Sequence, residues 1–342
     1  EVSDASGMNL LDVANRRWSD EVLDALDIDR SLLPELLESC EVAGRISREA
    51  AAATGLLEGT PVVAGAGDNA AAAVGMGVVE EGRAFTTLGT SGVVFAHSGR
   101  VAIDPAGRVH TFCAAVPGAW TTMSCTLAAG MSLKWLRDNF FPAERETAEG
   151  MGVDPYMLMD QQAARVPIGA NRLIYLPYLM GERTPLWNAN ARGVVFGMSL
   201  NHTKAHLVRA MMEGVAYALY QSFELVSAHY PRINYPIVLN EGGAKSRLWR
   251  RIITDVFDQP TVTLKNRFGA PYGDCILAAK AAGLIPDYRI AREKAEYIEP
   301  MEPDGRTHEM YMEYFDLFKR IYRHVEDDFE ALTSIRGKYL LK

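Results

Sequence analysis

The run from Pro61 to Ala73, Pro-Val-Val-Ala-Gly-Ala-Gly-Asp-Asn-Ala-Ala-Ala-Ala, constrains the chain more than any other stretch. Val62 and Val63 read as a buried strand, Gly65 and Gly67 permit a sharp turn, and the alanines from Ala70 form a helix readily. The run therefore predicts a strand, a glycine turn and a helix over Asp68 to Met76, with Asp68 at the helix N-terminus. Three readings of Asp68 follow. An N-cap aspartate satisfies orphan backbone donors and needs no chemistry behind it. A carboxylate held in so tight a turn also suits a catalytic base. The third reading is a dinucleotide fingerprint, since Gly65-x-Gly67 with Ala70 resembles G-x-G-x-x-G/A. Asp68 would repel the pyrophosphate that such a turn must hold.

Downstream, Arg83 to Leu88 and Val93 to Ala96 are β-prone runs joined by Gly89-Thr90-Ser91-Gly92. This pattern predicts a hairpin with a polar tip. Its backbone N–H groups and two hydroxyls suit an anion such as a phosphate, although an ordinary hairpin turn accounts for the pattern equally.

A coarse pass predicts short helices over Glu21 to Leu26, Leu32 to Leu37 and Ser47 to Thr54. Beyond the hairpin come strands near Val109 to Ala114 and Trp120 to Met123. The stretch Met123 to Leu133 reads as a buried helix that continues to Leu136. Asn171 to Pro177 is a strand, and Pro177 to Asn190 is a loop. Lys204 to Tyr230 is a long buried helix with Leu207, Met211, Val215, Leu219 and Phe223 at helical spacing. Pro236 to Asn240 is a strand ending in the turn Glu241 to Ala244, with a helix over Ser246 to Phe257 behind it. This second strand, glycine turn and helix make another anion-tolerant crevice. Helices over Gly273 to Ala282 and Met310 to Leu332 follow, the latter carrying Tyr311, Phe315, Phe318, Tyr322 and Phe329 as core. The texture changes near Gly82, which is taken as a domain boundary.

Composition narrows the functions. Apolar residues make up 48% of the 342 residues and charged residues 23%, enough for substantial cores under a wet surface. The formal net charge of −8 disfavours nucleic acid, and no Lys/Arg cluster with interleaved aromatics offsets it. No long apolar run predicts a membrane span, and the first residues do not read as a signal peptide. The four cysteines Cys40, Cys113, Cys125 and Cys275 lack C-x-x-C spacing and read as reduced core thiols in the cytosol. His202 and His206 lie at metal-compatible spacing without the Glu of H-E-x-x-H, and read as the polar start of a helix. No metal site of protein ligands is expected. Walker A and protein-kinase signatures are missing from the sequence.

Five ordered blocks resemble the FGGY family of carbohydrate kinases: Ala64-Gly-Ala-Gly-Asp68-Asn69-Ala70-Ala71, Leu88-Gly-Thr-Ser-Gly92, Leu176-Pro-Tyr-Leu-Met-Gly-Glu-Arg-Thr-Pro185, Asn190-Ala-Arg-Gly193 and Glu241-Gly-Gly-Ala-Lys-Ser246. The likeness extends to Asp4 through Val13 with Trp18, and to Leu207 through Ala216, so it covers nearly the whole chain. The resemblance implies an α/β fold of the ribonuclease-H-like, actin-type ATPase kind. Residues 1–82 would be the C-terminal part of a first, sugar-binding domain and residues 83–342 a complete second, nucleotide-binding domain. The amino-terminal third of the family pattern, with most sugar contacts, is expected to lie outside this sequence.

The same resemblance implies a sugar, ATP and the Mg2+ carried with it as partners, a cytoplasmic setting and a homodimer. Asp68 would be the base and Asn69 would touch a sugar hydroxyl. Gly89, Thr90 and Ser91 would meet the phosphates, Gly130 and Lys134 would lie along the nucleotide, and Gly243, Ala244 and Arg247 would line the adenosine pocket. Arg183 would fix its own loop through hydrogen bonds. The expected activity is phosphorylation of a ketopentose such as xylulose; a kinase for another polyol or sugar acid, a truncated nucleotide-binding or assembly module without catalysis, and a dinucleotide enzyme are the competing expectations.

Overall fold

The computed structural model describes residues 1–228, 233–266 and 269–340. The chain begins with α1 (Val2–Ala5), a small antiparallel pair β1 (Leu11–Asp12) and β2 (Arg17–Trp18), and α2 (Asp20–Ala25). Ser19 starts α2 by accepting the Val22 N–H through its hydroxyl, and Ser47 does the same for the Ala50 N–H at α3 (Arg48–Thr54). Gly55, at φ +76°, ends α3. Between these helices runs β3 (Val42–Arg45), which pairs antiparallel with β4 (Pro61–Val63); α4 (Asp68–Gly75) follows directly.

Two expectations fail in this part. Leu32 to Leu37 is not a helix; only a 3-10 turn at Arg30–Leu32 forms. Pro34 pushes Leu33 into extended backbone, and the carbonyls that a helix would use are taken by distant donors, Pro34 by Trp18 Nε1 at 2.9 Å and Leu37 by the Val2 N–H at 3.1 Å. Leu33 and Leu36 instead close a small core around Ala5, Trp18 and Leu23. The strand at Val62 and Val63 forms but is not buried: it pairs only with β3, Val63 is half-buried and Val62 stays 43% exposed.

A seven-stranded sheet organises the rest, in the order β13-β12-β11-β5-β6-β8-β7. Its members are β5 (Ala84–Leu88), β6 (Gly92–Ser98), β7 (His110–Cys113), β8 (Trp120–Thr126), β11 (Ile237–Asn240), β12 (Thr261–Leu264) and β13 (Tyr297–Met301). A separate pair, β9 (Ile174–Leu176) and β10 (Val194–Phe196), is antiparallel. Strands β5, β11 and β12 run parallel, and antiparallel neighbours flank them on both sides. The helix expected from Met123 starts only at α5 (Gly130–Phe140), because Met123 to Thr126 continue β8 in register with β6. Helices α6 (Pro142–Met151) and α7 (Pro155–Ala163) come next; sequence reading did not resolve them.

Alternation along the strands sorts the core into two faces. On one face Leu88, Val94 and Ala96 pack against α8 (Lys204–Ala228) and α9 (Arg247–Phe257) through Met211, Val215, Leu219, Trp249 and Ile253. The expected end of α8 at Tyr230 lies outside the described residues. On the other face Phe85 stacks on Phe95 with ring centroids 4.7 Å apart, and Ala73 and Met76 from α4 and its end complete that core with Val93 and Val238.

Helix α4 is also joined to α10 (Gly269–Ala281), which begins earlier than the expected Gly273. A Cβ on Gly75 would overlap the Gly269 carbonyl oxygen, and one on Gly273 the Ala71 carbonyl oxygen. Only glycine permits this approach. Helix α11 (Arg289–Lys294) leads to β13, and α12 (Gly305–Leu340) closes the chain with Tyr311, Phe315, Phe318, Tyr322 and Phe329 buried. Among the described residues no helix is long and apolar enough to cross a membrane. Cys275 is exposed on α10, unlike the core thiol expected there.

Candidate active site

The polar hairpin tip after β5 docks onto the first turn of α5. The Gly89 carbonyl accepts the Gly130 N–H at 2.7 Å, and the Thr90 carbonyl accepts those of Ala129 and Met131 at 3.1 and 3.2 Å. A Cβ on Gly130 would sit 2.5 Å from the Gly89 oxygen, so the sequence needs glycine at that contact. From the neighbouring parallel strand β11, the turn Glu241 to Ala244 closes on the same spot. A Cβ on Gly243 would lie 2.7 Å from Leu88 Cβ and 2.9 Å from the Leu88 oxygen. Ser246 then caps α9 by accepting the Trp249 N–H at 3.0 Å. Two strand-end turns and two helix N-termini thus meet; the first N–H groups of α5 are taken by the tip, so the helix dipoles and the remaining N–H groups of the turns are what favour an anion here.

Of the expected nucleotide residues, Gly89, Thr90, Gly130 and Gly243 come together here, with Ser91 on the same tip. Ala244 is fully buried beneath its turn. Lys134 is exposed on α5 with its ammonium 3.9 Å from Asp138, and Arg247 is exposed at the first position of α9.

Asp68 opens α4 on the surface. It does not cap the helix: Gly67 is the N-cap residue, and the Asp68 Oδ1 accepts the backbone and side-chain N–H groups of Asn69 at 2.7 and 3.0 Å. The turn itself is held from α1, where Ser3 Oγ accepts the Gly67 N–H at 3.0 Å and donates to Glu1 at 2.7 Å. Asp4 stands beside it, with Oδ1 3.4 Å from where a Gly67 Cβ would be. Sequence reading quoted Asp4 only as the start of a block and missed this second carboxylate. The helix that carries Asp68 shares its core with the hairpin that carries Gly89 to Ser91, through Ala73, Phe85 and Val93. The dinucleotide reading loses its scaffold, since β4 belongs to an antiparallel ribbon and not to a parallel βαβ unit.

Glu182 was also missed as an individual residue. It is 3% exposed and accepts the Thr126 hydroxyl, the Leu127 N–H at 3.1 Å and the Arg183 N–H at 2.7 Å. Burial pushes its carboxyl up to about 7 against the pull of those donors. It thereby fixes the Thr126 to Gly130 approach to the crevice. Arg183 braces its loop through its carbonyl, which accepts the Trp187 N–H at 2.6 Å, while its side chain is exposed. His202 and His206 each accept a backbone N–H at Nδ1, from Ser199 and Thr203, as a helix start requires. Among the described residues no group of three His, Cys, Asp or Glu side chains is placed to hold a metal.

Sheet order, the hairpin tip and the glycine turns define an α/β protein of the ribonuclease-H-like, actin-type ATPase fold. Residues 84–282 match the C-terminal domain of the FGGY family of carbohydrate kinases, residues 1–75 match its N-terminal domain, and the chain belongs to that family. It is 36% identical to the xylulose kinase of Bacillus subtilis over 98% of its own length and 65% of that protein's. It is also 36% identical to the Escherichia coli xylulose kinase, over 95% of this chain and 65% of that one. Among solved structures, a ligand-bound xylulose kinase from Lactobacillus acidophilus superimposes with a TM-score of 0.88 at 25% identity, covering 97% of this chain and 65% of that chain. A xyloylose kinase from Brucella ovis gives a TM-score of 0.84 at 31% identity, covering 95% of this chain and 65% of that chain. The chain spans about two thirds of the length of these relatives.

Proposed function

We propose that the protein transfers the γ-phosphoryl group of MgATP to the primary hydroxyl of a sugar, D-xylulose, giving D-xylulose 5-phosphate and ADP. The convergence of the Gly89, Gly130 and Gly243 turns, sharing a core with the helix that presents Asp68, carries this reading. The named activity of the relatives supports the substrate. Residues 1–82 serve as the sugar-facing part and residues 83–342 as the nucleotide-binding part.

In the reaction Asp68 takes the proton from the attacking hydroxyl as its oxygen bonds to phosphorus and the bond from phosphorus to the β,γ-bridging oxygen breaks. Asn69 steadies Asp68 and meets a neighbouring sugar hydroxyl. The N–H groups and hydroxyls around Gly89, Thr90 and Ser91 orient the phosphates over the N-terminus of α5, whose own first N–H groups are taken by the tip, and the adenosine lies along the turn at Gly243. Mg2+ bound to the nucleotide supplies charge neutralisation. The Thr90 hydroxyl and the Glu241 carboxylate, both exposed at this spot, are oxygen donors of the kind it takes.

Gluconokinases at 30% identity, and a gluconate kinase structure with a TM-score of 0.88, favour a sugar acid as the second reading. An assay coupling ADP release to oxidation of a reporter, run with D-xylulose, D-gluconate and glycerol on the full reading frame, separates these. Turnover with D-xylulose that Asp68→Asn and Asp68→Ala cut by orders of magnitude is expected. Near-normal turnover in either variant removes Asp68 from the chemistry.

A further inference from the structure

Glu241 is the first residue past β11, at φ +72° and ψ −172°. Glycine enters that backbone region freely, whereas a residue with a Cβ is strained there. Yet the glycines stand at the next two positions, and the strained one carries a carboxylate. The conformation is imposed from both sides: β11 is paired with β5 and β12, and Gly243 is wedged against Leu88 and Trp249.

The consequence is a placement. Glu241 Cγ lies 3.6 Å from where a Gly89 Cβ would be, directly over the hairpin tip whose carbonyls hold α5. Glu241 is exposed, and among the described residues no hydrogen bond or ion pair occupies its carboxylate. Arg250, the buried cation behind the turn, is committed to the Ala244 carbonyl and to Glu299. An unpaired carboxylate therefore faces the place proposed for the phosphates.

We infer that Glu241 is a charge filter of the phosphate site, selecting nucleotide complexed with a divalent cation and rejecting metal-free nucleotide; this rests on the nucleotide reading above. An unpaired carboxylate facing the phosphates repels a bare polyphosphate. The same carboxylate attracts a phosphate-bound divalent cation, directly or through its water shell.

Calorimetric titration of the 342-residue chain with ATP, once in excess Mg2+ and once in EDTA, tests the inference on the wild type, Glu241→Gln and Glu241→Gly. Wild-type protein is expected to prefer the Mg2+ complex. Both variants should bind metal-free ATP more tightly, on the order of tenfold, and so narrow that preference. An unchanged preference in both variants overturns the filter while leaving the nucleotide site standing. If wild-type protein takes up neither form, the nucleotide reading fails and the filter with it. Thermal melting adds a second arm. Glu241→Gly should raise Tm by relaxing the backbone, and a lowered Tm would show that the side chain braces the turn, contradicting its role as an uncommitted charge.

Discussion

Around Gly89, Gly130 and Gly243, main chain presses on main chain, whereas the turn that presents Asp68 is held by side-chain hydrogen bonds from Ser3 and Asn69. The first arrangement leaves no room for a Cβ at Gly130 or Gly243. In the second a Cβ on Gly67 would meet nothing closer than 3.4 Å, and the turn depends on which polar groups are present. Under the proposed function such a crevice would separate binding from chemistry, with shape holding the nucleotide and one exposed carboxylate acting on the sugar. Substitutions on the two sides should therefore fail differently.

The largest effect is expected from Asp68→Asn. Losing a general base should cut turnover by about 10²- to 10⁴-fold. Because Asp68 is not part of the hairpin contact, calorimetric affinity for MgATP should be unchanged. A parallel collapse of nucleotide affinity would erase the distinction between the two sides.

Gly130→Ala probes the other side. Its Cβ meets a carbonyl oxygen and not a yielding side-chain end, so the cost should reach the upper end of overpacking, about 3 kcal/mol. Urea unfolding should report that loss, and nucleotide titration should weaken at least about tenfold, since the tip is pushed off α5. Normal binding in this variant would mean that the glycine contact does not shape the site.

Glu182 sharpens the comparison, because it is a charge buried inside the main-chain side. In the folded chain it keeps its proton up to about pH 7, whereas an ordinary glutamate releases it near 4.5. Over that window the folded state binds more protons, so the stability gained is complete below 4.5 and is lost as pH rises through 7. The loss should amount to at most about 3 kcal/mol. Glu182→Gln cannot ionise and should lack this slope when unfolding is measured at pH 5 and 7.5. Identical slopes in both proteins would show that its hydrogen bonds keep the carboxylate charged throughout.

Smallest should be Lys134→Ala and Arg247→Ala. Both side chains are exposed, and contributions of such groups are about 0.2–1 kcal/mol and screened by salt. Nucleotide affinity should fall a few-fold at low salt and recover parity with wild type at high salt. A loss that persists in high salt would make either residue a direct, desolvated ligand of the nucleotide.

Sequence made the main-chain side readable because its determinants are local. Glycine turns after β-prone runs marked Gly89 and Gly243, and apolar spacing marked α8 and the aromatic face of α12. Properties set by distant partners were not readable. The Leu32 to Leu37 segment looked helical until Trp18 and Val2 claimed its carbonyls, and Val62 looked buried although only β3 pairs with its strand. Glu182 lay inside a quoted block, but its burial under Thr126 and Leu127 joins positions far apart in the chain. Glu241 stood in the sequence only as the first residue of a glycine turn, since its positive-φ backbone is imposed by pairing on both sides of β11 and not by its own identity.

Hydrogen exchange with and without MgADP tests the central claim most directly. Nucleotide held by the three glycine turns should slow exchange of the amides at 88–91, 128–132 and 241–246, while the β3–β4 ribbon remains unaltered. Saturating MgADP that leaves those three segments unprotected, or that protects another surface, would contradict the account.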